Sequence, residues 1–311
     1  MTRRQAVYAL WAGCLIWGAA FPLAKLALAD ATPMAFNVAR FLVAAPFLIP
    51  TARQVTRDEW RWGGFLGLLL ALGFALQTVG LAQTTASRSG FLTALYAPST
   101  PVIVFLVYRT LPGAPQAGGL LLALAGTWLL TGAAAAGQQG LNAGDLLTVV
   151  SAVVFAAHLV ATSAAGRAGR RPHALAAAQI LVAGLLSALA LPLVETPAYA
   201  FTPLVLAVTL YEAIFASLIA IKLQLSAQQV LTPTHSALIF TAEPVVAAVM
   251  SFLLIGERLG PLQWLGGLGI LAGSLLPELR RGRARAWPPE RPRHPSFTKR
   301  DGSVVPAVAG T

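Results

Sequence analysis

Several ionisable residues stand inside long apolar stretches of this chain, among them Lys25, Arg40, His158, Glu212 and Glu243. A charge in apolar surroundings is costly, so such residues usually face one another, a water-filled path or a bound ligand. An arginine can bind a carboxylate, and a carboxylate or an imidazole can exchange a proton. The pattern predicts a polar site enclosed by apolar helices, whose chemistry is ligand binding or proton transfer.

The sequence lacks the motifs of common enzyme and metal sites. It has no glycine-rich phosphate loop with a lysine, no His-Glu-x-x-His pair and no Gly-x-Ser-x-Gly. Its four histidines and single Cys14 form no cluster with metal-ligand spacing, and one cysteine cannot form an internal disulfide. We therefore expect a protein that is not an enzyme, with no catalytic residues, no metal and no cofactor.

The composition is that of a membrane protein. Hydrophobic residues make up 57% of the 311 residues and charged residues only 11%, with a mean hydropathy of +0.71. A soluble protein has roughly 25% charged residues, so this chain lacks the polar surface that water requires. The net charge is +11, but the basic residues lie in short loops and a tail rather than on one face, so no nucleic-acid partner is expected.

Ten apolar segments are each long enough to cross a bilayer, which takes roughly 20 helical residues. We place these segments at about 6–28, 33–50, 62–82, 89–109, 116–133, 144–163, 172–192, 203–225, 235–255 and 262–280. The first is interpreted as a retained helix rather than a signal peptide, because its apolar run is longer than a signal core. The sequence thus predicts an all-α polytopic membrane protein.

Basic residues are distributed unevenly between the two sides of these segments. With the N-terminus inside, the inner loops and chain ends hold most arginines, from Arg3 to Arg285, although the inner loop before the ninth segment holds none. The outer loops hold only Arg88 and Arg258. The positive-inside rule then predicts a bacterial-type inner membrane protein with both termini in the cytoplasm. The basic, proline-rich tail at 282–311 is expected to be disordered, and its arginines would either be solvated and fix the topology or lie against anionic lipid.

Part of the sequence occurs twice. Residues 90–126 resemble residues 236–273, and a fixed offset aligns Ala94 with Ala237 and Pro101 with Pro244. Phe41 to Ala44 also match Ile180 to Ala183, although at a different offset. Each copy holds five segments, and because five is odd, the second copy enters the membrane from the opposite side. Inverted repeats of this kind place a substrate site near the midplane, between the two halves.

Several short motifs occur in a characteristic order. The first segment contains Trp-Gly-Ala-Ala-Phe-Pro at 17–22 followed by Lys25, and the second contains Arg40 and Phe41. Later come Glu243 with Pro244, Gly-Glu-Arg-Leu at 256–259 and a glycine-rich last segment. In these features residues 6–280 resemble the ten-helix EamA-like group of the drug/metabolite transporter superfamily. The first half departs from the pattern, since it has Tyr-Arg-Thr-Leu at 108–111 where the second half has the Gly-Glu pair.

This resemblance implies ten transmembrane helices arranged as two inverted five-helix repeats around a central cavity. The first repeat would occupy 1–137 and the second 138–281. It also implies export or uptake of small metabolites, with a small molecule and membrane lipid as partners. The chain would act as a monomer or a homodimer.

Three of the charged residues are expected to contact substrate. Arg40 lies about 10 Å inside the outer end of its segment, which is deep for a side chain that reaches the headgroups. It would bind a substrate carboxylate or pair with Glu212 or Glu243; the alternative is a purely structural ion pair. Lys25 either faces the cavity or reaches the outer headgroups. Pro244 beside Glu243 predicts a break in the ninth helix.

Proton coupling has two further candidates. Glu212 stands in the middle of the eighth segment without an evident cation near it, and a carboxylate at that depth can exchange a proton. Glu243 competes for this role. His158 could relay a proton; the alternative is a hydrogen-bonded histidine between two helices.

Aromatic residues occur at membrane depth rather than at the interfaces. Trp17, Phe21, Tyr96 and Tyr211, together with Phe155, could line a pocket and stack against an apolar or aromatic substrate. Packing against other helices or lipid is the alternative for each.

The residues and the resemblance together predict a secondary transporter, and the resemblance alone implies small amphipathic metabolites such as amino acids as its substrates. Export by alternating access is expected, either coupled to protons or as facilitated diffusion and exchange. A channel would need a continuous polar stripe, which the isolated polar residues do not provide. A lipid-directed flippase or membrane-embedded enzyme is the remaining alternative.

Overall fold

The structure is a computed structural model that describes residues 1–135, 142–258 and 260–279. The tail predicted at 282–311 lies outside the described residues. The elements, in chain order, are α1 (Arg3–Ala27), α2 (Pro33–Ala52), α3 (Arg57–Ala82), α4 (Ala86–Thr93), α5 (Tyr96–Tyr108), α6 (Ala114–Ala135), α7 (Ala143–Arg167), α8 (Pro172–Val194), α9 (Pro203–Tyr211), a π-helical segment (Glu212–Ile219), α10 (Ala220–Ala227), α11 (Pro233–Phe240), α12 (Glu243–Ile255) and α13 (Pro261–Leu279).

These helices confirm the predicted membrane fold. Eight helical stretches are long and apolar enough to cross a membrane, counting α4 with α5, α9 with α10 and α11 with α12 as single crossings. The other two crossings contain the shorter apolar stretches Ala114–Gly126 in α6 and Trp264–Gly273 in α13. Within the described residues no strand occurs, only a single β-bridge between Ala31 and Tyr199.

Local sequence explains where the helices begin. Thr2, Thr56 and Asn142 each form a capping box, in which the cap side chain and the third helical residue exchange hydrogen bonds. Other helices begin with a proline in the first turn, where the missing N–H is no loss, as at Pro33 and Pro172. Each turn between crossings therefore ends at a residue whose chemistry favours a new helix.

Two crossings are broken in the middle, and their breaks match. The α4–α5 and α11–α12 pairs both consist of an 8-residue and a 13-residue helix. Both pairs begin after a threonine cap, Thr85 and Thr232, and both end at a residue in the left-handed conformation, Arg109 and Gly256. The break predicted beside Pro244 is thus confirmed, and the first half contains its counterpart.

The two pairs are related by 147 residues, since α11 starts at 233 against 86 for α4, and α12 at 243 against 96 for α5. The sequence match that placed Ala94 on Ala237 is therefore wrong by four residues, about one helical turn. An apolar helix repeats its character every turn, so a slip of one turn preserves the apolar pattern. With the corrected offset, the residue equivalent to Glu243 is Tyr96.

Close helix contacts depend on small residues, as at Gly63 in α3. A Cβ on Gly63 would collide with the Cβ of Ala178 in α8, whereas a Cβ on the neighbouring Gly64 would meet nothing within 4 Å. In the same way, a Cβ on Gly273 in α13 would lie 2.5 Å from the carbonyl oxygen of Gly119 in α6. Glycine at these contacts lets the helix backbones approach.

Ion pairs tie the ends of the crossings together. At the start of α3 and α8, Arg171 donates to both oxygens of Glu59 at 2.8 Å, and this carboxylate raises the pKa of Arg171. At the opposite end, Arg88 lies 2.8 Å from Asp145, whose side chain also accepts from Thr84. The cavity described next lies between these two ends.

Candidate functional site

A central cavity brings together most of the polar residues at membrane depth. The central cavity has a volume of about 100 Å³, and a water molecule needs roughly 10–15 Å³ measured this way, so it can hold several waters or a small solute. Its polar and aromatic lining residues are Trp17, Phe21, Phe36, Arg40, Phe74, Gln77, Thr78, Thr93, Tyr96, Phe155, His158, Glu212, Gln224, Phe240 and Glu243.

Arg40 and Glu212 form a buried ion pair at one side of the central cavity. Nη1 of Arg40 lies 3.1 Å from Oε2 of Glu212. The Nε and Nη2 groups of Arg40 both donate to Oγ of Ser217, at 3.2 and 3.1 Å. The guanidinium carbon lies 4.2 Å from the centre of the Phe74 ring, within the range of a cation–π contact. All three nitrogens of Arg40 are therefore engaged.

The π-helical segment explains how Glu212 and Ser217 reach the same arginine. A π-helix has a wider turn than an α-helix, and such turns are frequent at functional sites. The hydroxyl of Ser217 donates to the carbonyl oxygen of Glu212 at 2.8 Å, so the two residues lie one π-turn apart. Glu212 therefore has a cation beside it, in the pairing with Arg40 that was one of the alternatives predicted from the sequence. Of the two partners proposed for Arg40, the structure selects Glu212.

Glu243 lies apart from this pair, at the first turn of α12 directly after the break. Its Oε2 accepts a hydrogen bond from the Tyr96 hydroxyl at 3.4 Å, and its side chain is buried. No ion pair to Glu243 occurs in the part of the chain that the structure describes. The central cavity thus contains one paired and one unpaired carboxylate.

His158 borders the central cavity and also links two helices. Its Nε2 lies 2.8 Å from Oε1 of Gln179, which connects α7 to α8. The structure thus shows the hydrogen-bonded interhelical arrangement that was the alternative for this residue, and it leaves the ring at the cavity wall. The amide nitrogen of Gln179 has no hydrogen-bond partner among the described residues.

Aromatic rings form much of the remaining wall. Trp17 and Phe240 meet edge to face with ring centres 5.3 Å apart, and Tyr96 contacts Phe240 in the same way at 6.5 Å. On the other side Phe74 and Phe155 meet edge to face at 5.4 Å. Trp17 is held in place by its Nε1, which donates to the carbonyl oxygen of Ala216 at 2.9 Å. Phe21 also lines the central cavity, as expected.

Two of the residues expected to bind substrate do not line the central cavity. Lys25 donates to the carbonyl oxygens of Leu81 and Ala82, at 2.9 and 3.1 Å, and so satisfies the C-terminal end of α3. Tyr211 donates to the carbonyl oxygen of Ile16 at 2.8 Å and stacks on Phe215. Both side chains connect helices, which the sequence could not show because it does not give the direction in which each helix faces.

Several lining residues were not anticipated from the sequence. Gln77 donates to Thr93 at 3.1 Å, and Gln224 donates to Gln228 at 3.0 Å. Thr78 donates to the buried Asn37 at 3.2 Å. The signal that could have identified them is an uncharged amide inside an apolar segment, which is weaker than a charge because it costs less to bury.

The described residues contain no group of three or more His, Cys, Asp or Glu side chains that could hold a metal ion. Cys14 is buried, and its Sγ lies 3.4 Å from the carbonyl oxygen of Ile239. The geometry therefore offers binding contacts and an ion pair at membrane depth.

Comparison with known proteins identifies the fold and the family. The sequence model of the EamA-like transporter family matches residues 4–132 and again residues 142–277. The chain is 33% identical over 266 residues to an uncharacterized transporter of Archaeoglobus fulgidus, covering 86% of this chain and 83% of that protein. It is 26% identical over 290 residues to the uncharacterized transporter YwfM of Bacillus subtilis, covering 88% and 96%.

A solved crystal structure shares the fold. It superposes with a TM-score of 0.72 at 19% identity and covers 89% of this chain and 98% of that chain. The family is built from ten helices in inverted repeats, in agreement with the crossings described above. The chain is a multi-pass membrane protein, and it belongs to the EamA-like transporter family.

Proposed function

We propose that the chain is a secondary transporter that moves small amphipathic metabolites, amino acids among them, by alternating access through the central cavity. The observation that carries this proposal is the cavity at membrane depth, lined by helices of both halves and containing the Arg40–Glu212 pair and Glu243. Polar side chains at this depth are costly unless they serve a solute path. A cavity between inverted repeats supports a site that is exposed to each side in turn.

The position of the cavity along the helices supports an outward-facing state. Its lining residues run from Trp17 to Ala24 on α1 and from Leu70 to Leu81 on α3, so the cavity approaches the ends of these helices at Ala27 and Ala82. In the orientation predicted by the loop charges, these ends are extracytoplasmic. The opposite end of α3 is tied to α8 by Glu59 and Arg171. Opening the cavity to the other side would require the Glu59–Arg171 ion pair to break.

The proposed binding residues are those that line the central cavity: Trp17, Phe21, Arg40, Tyr96 and Glu243. Lys25 and Tyr211, named from the sequence, would act by holding helices. For proton coupling we retain Glu212 and His158, with Glu243 as the competing candidate named from the sequence. Glu212 has its charge balanced by Arg40, whereas Glu243 has only a phenol beside it.

The finer assignments are part of the same proposal. The two repeats would occupy 1–137 and 138–281, and the protein would lie in a bacterial-type inner membrane with both termini in the cytoplasm and export as its direction. Orientation can be tested with single cysteines in a Cys14→Ala background. A membrane-impermeant maleimide added to intact cells should label Asp30→Cys, after α1, and leave Gln54→Cys, after α2, unlabelled. The reverse pattern would contradict the proposed orientation.

Flux in proteoliposomes tests the function itself. Purified protein is reconstituted, loaded with a panel of metabolites, and assayed with and without an imposed pH gradient. Saturable flux of one compound class supports the transporter, and its acceleration by the gradient supports proton coupling. Flux that is the same with and without the pH gradient indicates facilitated diffusion or exchange. Absence of flux for every compound would contradict the proposal and favour a lipid-directed protein, for which lipid scrambling is then measured.

A further inference from the structure

The central cavity is lined by more carboxyl groups than cationic side chains. Among the described residues that line it, the carboxyl groups are those of Glu212 and Glu243, Arg40 supplies the one guanidinium, His158 supplies an imidazole, and no lysine is present. Arg40 balances Glu212, so Glu243 has no counter-charge within the described part of the chain. A buried carboxylate without compensation is costly, and a ligand that brings a positive charge would remove that cost.

The one hydrogen bond described for the Glu243 side chain is long, so a ligand with a stronger hydrogen-bond donor could bind there. The hydrogen bond from the Tyr96 hydroxyl is 3.4 Å long, beyond the usual range of about 2.5–3.0 Å for such bonds. No other hydrogen bond to the Glu243 side chain occurs among the described residues. An ammonium group carries three N–H donors and a full charge, so it would form shorter and stronger bonds there.

The aromatic residues nearest to Glu243 suit a cation with an apolar body. Tyr96 contacts both the carboxylate and the ring of Phe240, and Phe240 contacts Trp17. Aromatic faces attract ammonium groups and also pack against alkyl or aryl groups. One continuous surface therefore offers an anion for the charge and rings for the rest of the molecule.

A substrate carboxylate finds no comparable partner. Three of the five N–H groups of Arg40 are bonded to Glu212 or Ser217, and Glu212 already balances its charge. Lys25 is bonded to the end of α3 and does not line the cavity. A bound carboxylate would share the charge of Arg40 with Glu212 and would add a third carboxylate to a cavity with one guanidinium.

We infer that the central cavity recognises its substrate by a protonated amino group, which Glu243 binds while Tyr96, Phe240 and Trp17 hold an apolar body. The substrate class is a small alkyl or aryl amine, and a carboxylate on the molecule weakens binding. This inference rests on the proposed transport function and narrows its substrate class from amphipathic metabolites, amino acids among them, to amines without a carboxylate.

Three compounds with one aromatic body test the inference: phenethylamine, phenylalanine and 3-phenylpropionate. Binding of each to the purified full-length protein in detergent is measured by equilibrium dialysis at pH 7, where an alkyl amine with a pKa of about 10 is protonated. Phenethylamine should bind saturably. Phenylalanine and 3-phenylpropionate should bind about tenfold more weakly or worse, because like charges at a buried site are unfavourable.

Variants assign the effect to Glu243. Glu243→Gln should weaken phenethylamine binding by about tenfold or more, because the ammonium loses its buried counter-charge. Glu243→Asp keeps the charge and should retain part of the affinity, which shows that the fold is intact. Glu257→Gln is the matched control: this glutamate follows α12, accepts from Ser87 and does not line the cavity, so binding should be unchanged.

The outcomes separate this inference from the proposed function. Tighter binding of phenylalanine or 3-phenylpropionate than of phenethylamine, or unchanged phenethylamine binding in Glu243→Gln, would overturn the amine site. If another compound is transported in proteoliposomes while phenethylamine does not bind, the transporter stands and the amine site fails. If phenethylamine binds through Glu243 but no compound is transported, the site stands and the transport function fails.

Discussion

Tyr96 and Glu243 are the first residues of two equivalent helices, α5 and α12, and the Tyr96 hydroxyl donates to the Glu243 carboxylate over 3.4 Å. The two matched breaks therefore meet at the central cavity. The backbones agree in helix length and caps, but only the second half supplies a carboxylate at this position. The two halves thus share the same broken-helix backbone but place different side chains at the break.

This relationship predicts the effect of exchanging the two residues. Glu243→Tyr alone should abolish phenethylamine binding, because the cavity loses its unpaired carboxylate. The double variant Tyr96→Glu with Glu243→Tyr should recover part of that binding, because the equivalent position presents the carboxylate to the same contact. Equilibrium dialysis of both variants measures the effect. Equal loss of binding in the single and double variants would show that the two positions are not interchangeable.

The Arg40–Glu212 pair predicts a non-additive effect on stability. Arg40→Ala or Glu212→Ala leaves one buried charge without a partner, which costs about 3–5 kcal/mol. Arg40→Met combined with Glu212→Leu removes both charges and should be close to wild type in thermal unfolding. Transport should be lost in all three variants if the pair also shapes the site. The ion-pair interpretation fails if the double variant is as unstable as the sum of the single ones.

The crossings and the break beside Pro244 could be predicted from the sequence because hydropathy and proline act locally. The direction in which each helix faces could not, since it depends on neighbours far along the chain. For this reason Arg40 and Glu212 were both expected at the site, but their pairing was only one of several alternatives. Tyr211 was expected in the cavity and instead bonds Ile16.

The sequence also did not allow the irregular parts of the backbone to be predicted. The π-helical segment that starts at Glu212 has no distinctive residue pattern, yet it places the Ser217 hydroxyl where Arg40 donates a hydrogen bond to it. The break before Tyr96 was likewise hidden, because the prolines that follow it could equally have been accommodated within a bent helix. The one-turn slip in the repeat alignment arose from the same uniform apolar character.

Neighbouring glycines in α3 provide a matched test of helix packing. Gly63→Ala should lower the thermal unfolding midpoint, since the new methyl group collides with Ala178 and over-packing costs about 1–3 kcal/mol. Gly64→Ala should be neutral or slightly stabilising, because its Cβ meets open space and alanine favours a helix. Differential scanning fluorimetry of the two purified variants measures the difference. Equal midpoints would contradict the packing described for α3 and α8.

Blocking the central cavity tests the transport path most directly. In a Cys14→Ala background, Ala20→Cys places a thiol at the cavity wall and Leu15→Cys places one on the exposed side of the same helix. Both variants are reconstituted, treated with a small maleimide and assayed for flux of the transported compound. Flux should fall to background for Ala20→Cys and remain unchanged for Leu15→Cys. Full flux through labelled Ala20→Cys would show that the substrate does not pass through this cavity.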